Sequence, residues 1–428
     1  MTIRFYNARI LTMEEPLEIF MGELWVKDGK ITYCGSPVSA PITQPFDREM
    51  DLQGNLILPG FKNAHTHSAM TFLRSFADDL PLQDWLSKQV FPMEALLTES
   101  DIYTLSKLAI AEYLTSGITA NFDMYVNSDA IAQSSVDTGF RTVIVSGLNN
   151  FVHSLKGLAD CYETYNHFHP LIRYQLGFHA EYTTNESLLL GVAELAKTYH
   201  APVYTHISET NAEVADCIRR TGKTPTAYLA SLGVYDYGGG GYHCVHFSEE
   251  DIAIFKEKHL SVITNPASNL KLASGIAPIR RYLTEGINVA LGTDGPASNN
   301  CLDMFREMFL MTGLAKVREE DASVVDALSV LRAATVGGAK AMGLSQCQTL
   351  TAGSCADLTV LDLHKPNMQP LNHILKNIVY SGSKDNVLLT MVNGRVLYEK
   401  GCFYLDEDIE TIYEKCNKIT QRIKAAKK

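Results

Sequence analysis

The chain is predicted to be an α/β protein: a (β/α)8 TIM-type barrel joined to a small composite β-sandwich formed by both chain ends. Three observations predict this. Eight strand-like stretches succeed one another through the middle of the chain, with helix-like stretches between most of them, the order that produces a parallel barrel. Both ends instead carry strand clusters with tight-turn signals. Histidines and an aspartate recur where the barrel strands should end, the face on which such barrels place their chemistry.

The elements follow in order. Near the start, strand-like residues 24–27 and 30–33 flank Asp28-Gly29, and near the end 388–392 and 395–398 flank Asn393-Gly394. Both dipeptides tolerate positive φ at each central position and so read as hairpin turns. Neither end can bury a core alone, so 1–58 and 345–405 are expected to form one sandwich. The barrel is assigned to 59–344. Its strands are the segment ending at His67, then 118–123, Arg141–Val145, 174–179, 202–206, 242–246, 260–264 and 289–294. Past Asp406, the residues Ile409, Ile412, Cys416 and Ile419 fall at helical spacing, giving an amphipathic helix over 406–428.

Composition excludes several function classes. Of 428 residues, 46% are apolar and 20% charged, which supports a substantial core and argues against disorder. A net charge of -11 leaves no basic surplus to neutralise phosphates, so nucleic acid and anionic membrane are not expected partners. The N-terminus lacks a basic, then apolar, secretory signal, and no apolar run approaches the ~20 residues of a membrane helix. Nine scattered cysteines never form Cys-x-x-Cys, which suggests neither a disulfide framework nor a thiolate zinc site. A soluble, cytoplasmic protein is expected; homo-oligomerisation stays open.

The most informative segment is Leu58-Pro59-Gly60-Phe61-Lys62-Asn63-Ala64-His65-Thr66-His67. In a strand, residues i and i+2 share a face, so His65 and His67 can grip one divalent metal. His179, His206 and His243 also sit at or near predicted strand ends, whereas His167, His169, His200, His259, His364 and His373 do not. With Asp294, the residues His65, His67 and His206 make an N₃O donor set suited to zinc or a similar ion, with room for water. Taken singly, Asp294 also reads as a turn residue before Gly295, and His206 as a hydrogen-bonded core histidine. Glu209, three residues past His206, reads either as a proton carrier near the metal or as a helix-start glutamate. His243 and His246 are three apart, so only one can face the pocket; His243 is the choice.

These segments, together with 205–210, 243–246, 265–272 and 291–300, resemble the amidohydrolase superfamily. In particular they resemble its methylthioadenosine/S-adenosylhomocysteine deaminase branch, related to the triazine chlorohydrolases, over nearly the whole chain. The resemblance implies that His65, His67, His206 and Asp294 ligate the metal and that Glu209 shuttles protons. It further implies that His243 holds the attacking water, that Asp294 accepts its proton, and that His179 and Trp85 contact substrate. Glu94 would bind the ribose 2′- and 3′-hydroxyls. Strand four ends in His179 rather than the bridging lysine of binuclear relatives, so a single divalent ion is expected, zinc first, with Fe²⁺ or Mn²⁺ as alternatives.

The implied reaction replaces the 6-amino group of an adenosine-type nucleoside with oxygen, releasing ammonia and the inosine product. Relatives that accept S-adenosylhomocysteine are expected to hold its carboxylate with arginines near strand three. From Thr142 to Ile172 this chain has none, and Lys156 and His153 are the available cations. Uncharged 5′ groups (methylthioadenosine, 5′-deoxyadenosine, adenosine) are therefore expected to be preferred over S-adenosylhomocysteine. A guanine-type base deaminase or a triazine chlorohydrolase would use the same metal set but has no use for a ribose clamp. A non-enzymatic scaffold should have lost a ligand or the proton carrier, and none is missing.

Overall fold

The computed structural model describes residues 1–39, 45–76, 78–80, 82–152 and 154–426. The chain begins in a sheet, leaves it for a barrel, and returns to the same sheet. Strands β1 (Thr2–Leu11), β2 (Ile19–Lys27), β3 (Lys30–Gly35), β4 (Arg48–Asp51) and β5 (Leu56–Pro59) open the chain. The barrel follows, with β6 (Phe61–Thr66), β7 (Ile118–Met124), β8 (Arg141–Val145), β9 (Ile172–Ala180), β10 (Val203–Ile207), β11 (Gly239–His243), β12 (Ser261–Thr264) and β13 (Asn288–Leu291). Last come β14 (Leu358–Leu361), β15 (Val387–Val392), β16 (Arg395–Glu399) and β17 (Cys402–Phe403).

The two chain ends share one nine-stranded sheet, in the order β17-β16-β15-β14-β5-β1-β2-β3 with β4 also on β1. Its seam is β5, which runs parallel to β1 and antiparallel to β14. One apolar cluster unites Ile3, Phe5, Ile10 and Leu24 from the start with Leu358, Val360, Leu389 and Met391 from the end, which is why neither end needs a core of its own. Both hairpins form as expected: Asp28 and Gly29, and Asn393 and Gly394, all have positive φ. The two turns also touch, because a Cβ on Gly394 would lie 2.8 Å from the Gly29 Cα.

Strands β6 to β13 form the eight-stranded parallel sheet in sequence order. No ladder joins β13 to β6 among the described residues; closure runs through Asp294 N–H to His65 O at 3.0 Å and through Asn63, which bonds both Thr293 N and Thr293 Oγ1. Inside, Phe122, Val143, Val145, Tyr204, Tyr242 and Ile263 pack as one apolar cluster. The sheet is fastened to the barrel by a buried two-point bond from Arg141 to Asp357, whose Oδ1 also accepts Asn393 N–H. Such a planar fork matches a carboxylate in geometry as well as charge.

Two strand boundaries differ from the sequence reading. β11 starts at Gly239, three residues before the predicted start at 242, and ends at His243, so Val245 and His246 lie beyond it. Glycines carry no periodic signal, and Gly239-Gly240-Gly241 hid the strand. Space explains them: a Cβ on Gly239 would meet Val203 O at 1.9 Å, and one on Gly240 would meet Ser261 O at 2.5 Å. β13 ends at Leu291, so Asp294 sits on the exit loop. The C-terminal helix, Ile409–Ala426, buries Ile412, Cys416 and Ile423, with Ile409 and Ile419 partly covered. Its Arg422 pairs with Asp101 on the helix Glu99–Thr115.

These contacts predict opposite outcomes for two glycines. Gly239→Ala is strained in φ (133°) and collides with the β10 backbone, so thermal denaturation should show a loss of several kilocalories per mole, roughly 3 or more. Gly222→Ala at a helix end has φ 74° but open space around it, and should cost only about 1 kcal/mol. Equal losses would contradict the packing described here.

Candidate metal centre and active site

Each site residue stands at the exit of a barrel strand. His65 is the penultimate residue of β6 and His67 the first beyond it; their ring planes cross at 83° with centroids 4.8 Å apart. His206 lies within β10, His243 closes β11, and Asp294 follows β13 by three residues. The ligand atoms of His65, His67 and Asp294 lie within 4.8 Å of one another, as do those of His65, His206 and His243. His65 Nε2 is 3.1 Å from His206 Nε2 and 3.6 Å from Asp294 Oδ1, and His67 Nε2 is 3.2 Å from that oxygen. The four residues singled out in the sequence, together with His243, thus fall into two overlapping groups that share His65.

The tautomers follow from hydrogen bonding. His67 Nδ1 bonds the carbonyl of Met124, and His206 Nδ1 bonds the carbonyl of His179 at 2.6 Å. A carbonyl only accepts, so both Nδ1 atoms donate and both Nε2 atoms turn inward. Burial pushes His65 and His206 well below the usual histidine range, so these rings are neutral. His65 Nδ1 has no partner at all. At His67 burial is the largest single influence and lowers the pKa, but the hydrogen bond and charge of Asp294, with the Met124 carbonyl and the charge of Asp123, together outweigh it and take the ring up to about 9. Burial would raise Asp294, yet the His67 bond and charge hold it well below the usual carboxylate range. His65 and His206 turn neutral ring nitrogens inward, and a divalent metal would take the place of the proton that His67 holds against Asp294, so the set fits such an ion. Imidazole N–H bonds to backbone carbonyls are how metal-ligating histidines are oriented.

The carboxylate is itself held. Asp294 Oδ2 accepts Ser268 Oγ at 2.6 Å and Ser298 Oγ at 2.8 Å, and Oδ1 accepts Gly295 N–H at 2.8 Å. His243 Nδ1 donates to Asn269 Oδ1 at 2.7 Å, which aims Nε2 toward the centre, 3.8 Å from Glu209 Oε2. Glu209 is buried and accepts Ser274 Oγ at 3.0 Å. Ser268, Asn269, Ser274 and Ser298 had no role assigned from sequence. Small polar residues just past barrel strands were the available signal, but loops are rich in them for other reasons.

A cavity of about 470 Å³ opens over this centre, within the range of small-molecule sites, roughly 300–1,000 Å³. Trp85, Glu94, His179, His206, Glu209, His243 and Asp294 line it, with an outer wall that includes Leu86, Phe91, Val126, Phe151 and Val152. Trp85 is buried on the short helix Leu82–Trp85. His179 bonds Thr183 Oγ1, and burial pulls it down to about 4. Glu94 Oε1 is buried with no hydrogen-bond partner, as is the Tyr125 hydroxyl beside it. Burial pushes the Glu94 carboxyl up. Tyr125 was missed in the sequence, where it reads as one more aromatic residue after a strand.

Of the two cations considered for the outer cavity, Lys156 does not line it. Its side chain is 86% exposed and pairs with Asp160 at 2.7 Å, one helical turn away. His153 lies outside the described residues. Among the described residues no lysine or arginine lines the cavity.

An eight-stranded barrel gathering imidazoles and a carboxylate at its mouth, beside a second buried carboxylate, is the architecture of metal-assisted hydrolases. More narrowly, the chain belongs to the amidohydrolase family, whose model matches residues 56–397. A 5-methylthioadenosine/S-adenosylhomocysteine deaminase of Thermoanaerobacter pseudethanolicus is 37% identical over 93% of this chain and 94% of its own. The deaminase of the same name from Moorella thermoacetica is 39% identical, covering 92% and 94%. Among solved structures, an adenosine deaminase from Xanthomonas campestris with bound zinc superposes with a TM-score of 0.93 at 31% identity, covering 99% and 98%. Atrazine chlorohydrolase from Arthrobacter aurescens, with zinc, shares the fold at 22% identity and TM-score 0.89, over 98% and 100%.

One buried carboxyl outside the metal set gives a pH signature. Glu307 accepts Ala267 N–H and Asn299 Nδ2, tying the β12 and β13 exits together, and burial pushes it up to about 8. A raised carboxyl holds a proton in the folded state that the unfolded chain has released. Its stabilising contribution is therefore complete below about pH 4.5 and lost as pH rises through about 8. Thermal unfolding from pH 5 to 9 should show wild type losing ground against Glu307→Gln as pH rises. A pH-independent gap would contradict this.

Proposed function

We propose that this chain is a metal-dependent hydrolytic deaminase of adenosine-type nucleosides, converting a 6-amino purine nucleoside to the inosine product and ammonia. The observation that carries the reading is the pairing of two features in one cavity: the inward-facing His65, His67, His206 and Asp294, and the orphaned Glu94 carboxylate. The relatives' names support the same substrate class. Such a carboxylate, buried with an unsatisfied oxygen, costs free energy until a donor arrives. The two hydroxyls of a ribose supply donors, and a free base or triazine does not. A divalent ion, zinc in our reading, held by these four residues would lower the pKa of water enough to supply a nucleophile at neutral pH.

The chain's own groups do the rest. Trp85 and the apolar wall flank the purine and exclude water from the inner cavity. His179, neutral in this environment, offers a hydrogen bond to the substrate. Asp294, fixed by Ser268, Ser298 and Gly295, accepts the proton of the attacking water, and His243, fixed by Asn269, orients that water. Glu209, entering protonated, gives its proton to ring N1 and makes C6 electrophilic. The proton that Asp294 took from water goes to the departing amine as the C6–N bond breaks, and the hydroxyl proton left at C6 returns to Glu209. Ammonia release, measured across purine nucleosides and free bases with zinc-loaded protein, tests the assignment. Nucleosides should react and adenine should not. Glu209→Gln should lower kcat by about 10²–10⁴-fold with the metal retained, and near-normal turnover would exclude Glu209 as the proton carrier.

The absence of a lining lysine or arginine among the described residues bears on the 5′ group. An amino-acid carboxylate placed near Phe151 and Val152, both exposed, would find no lysine or arginine among the described residues to pair with. Methylthioadenosine, 5′-deoxyadenosine and adenosine should therefore exceed S-adenosylhomocysteine in kcat/KM by roughly tenfold or more, the ratio that about 1.4 kcal/mol produces. A clear preference for S-adenosylhomocysteine would refute it.

A further inference from the structure

The proton-carrying role given to Glu209 requires its carboxylate to be held in place, yet its own hydrogen bond is a single one from Ser274. The loop that carries it is the short exit of β10, from Ser208 to Thr210, before the helix Asn211–Thr221. Thr210 caps that helix, its hydroxyl accepting Glu213 N–H at 3.2 Å. With glutamate at the third helical position, Thr210-x-x-Glu213 has the sequence of a capping box, in which that glutamate would turn back to the N–H of Thr210.

The glutamate does more than this, with the Thr210 N–H as the weakest of its three backbone interactions. Glu213 Oε1 accepts Ser208 N–H and Oε2 accepts Glu209 N–H, both at 2.8 Å. The carboxylate reaches past the cap to the two preceding residues and spans the peptide that leads into Glu209. Ser208 has φ 50°, a left-handed conformation that a serine adopts at a cost. The Ser208 carbonyl in turn accepts the N–H groups of Val245 and His246, so the same bend also anchors the exit of β11 next to His243. Glu213 is 7% exposed, and burial, then the charge of Glu209, raises its carboxyl to about 7. A buried acid close to another acid is an expensive way to start a helix; a cap at Thr210 would have sufficed.

We infer that Glu213 is a positioning residue for the deamination: its carboxylate clamps the Ser208–Glu209 backbone in the left-handed bend that points Glu209 into the cavity. This rests on the proton-carrier reading of Glu209. Glu213 touches neither substrate nor metal, and acts only through the residue it holds. Glutamine at this position offers one acceptor and one donor, so it can keep one of the two amides and must oppose the other.

A double-mutant cycle on zinc-loaded enzyme tests it, using Glu209→Gln, Glu213→Gln and the combination, with single-turnover measurement where rates are low. Glu213→Gln should lower kcat by on the order of 10²-fold, as misplacement of a catalytic group does, with KM changed less than about threefold and zinc content unchanged. In the Glu209→Gln background the same substitution should change kcat by less than about twofold, because residues acting as a unit are not additive. Equal falls in both backgrounds, unchanged kcat in the single variant, or a loss confined to KM would overturn the inference. If Glu213→Gln does not fold, Glu213→Asp, which keeps the charge but is one methylene shorter, runs the same cycle with the same criteria. A Glu209→Gln enzyme with near wild-type turnover instead sinks the underlying reading, so the two failures are distinguishable.

Discussion

The site depends on two hydrogen bonds from histidine rings to backbone carbonyls. His67 Nδ1 to Met124 O and His206 Nδ1 to His179 O fix which nitrogen of each ring carries the proton, and therefore which one faces inward. Each carbonyl lies at or near the end of the strand beside its histidine's own: Met124 ends β7, next to β6, and His179 is near the end of β9, next to β10. The barrel's register thus sets the chemistry of the imidazoles. With His65 neutral and Asp294 ionised, the inward atoms form a pocket of negative potential that a divalent cation relieves.

Holding that geometry costs backbone strain. Ser208, His243, Cys244 and Asp294, all at strand exits, have φ between 49° and 70°, and each such residue costs on the order of 1–3 kcal/mol. The offsets are visible. Cys244 lies beneath Tyr282, whose hydroxyl bonds its carbonyl at 2.5 Å. Asp294 takes three hydrogen bonds through its side chain, and Ser208 is braced from two sides. Glu307 plays for β12 and β13 the part that Glu213 plays for β10. At these strand exits buried acidic side chains bond backbone amides.

Much of this was legible in the sequence. The alternation of elements gave the barrel, the Asp28-Gly29 and Asn393-Gly394 turns gave the hairpins, and His-x-His after a Pro-Gly turn marked the first strand end. The ligand candidates came together because each lies at or within three residues of a strand end, close enough for the pattern to place them although two of the ends were shifted. Other features were hidden for physical reasons. The strand at Gly239-Gly240-Gly241 has no side chains to alternate. Glu213 carries a capping-box signature, and its additional reach to the amides of Ser208 and Glu209 is not part of that pattern. The state of Glu94 depends on burial beside Tyr125, 31 residues away in sequence, which no local pattern records. Lys156 was plausible by position on the chain, but a helical turn turned it to Asp160 and solvent.

The cavity brings these levels together: inner polar groups are fixed by second partners, and the outer wall is apolar. The central claim is that His65, His67, His206 and Asp294 hold one divalent cation. Elemental analysis of purified protein, followed by zinc titration of chelator-stripped protein, tests it most directly. One ion per chain should bind, and His65→Ala should abolish tight binding. A wild-type protein that takes up no zinc, or a His65→Ala variant that binds it unchanged, would contradict the account.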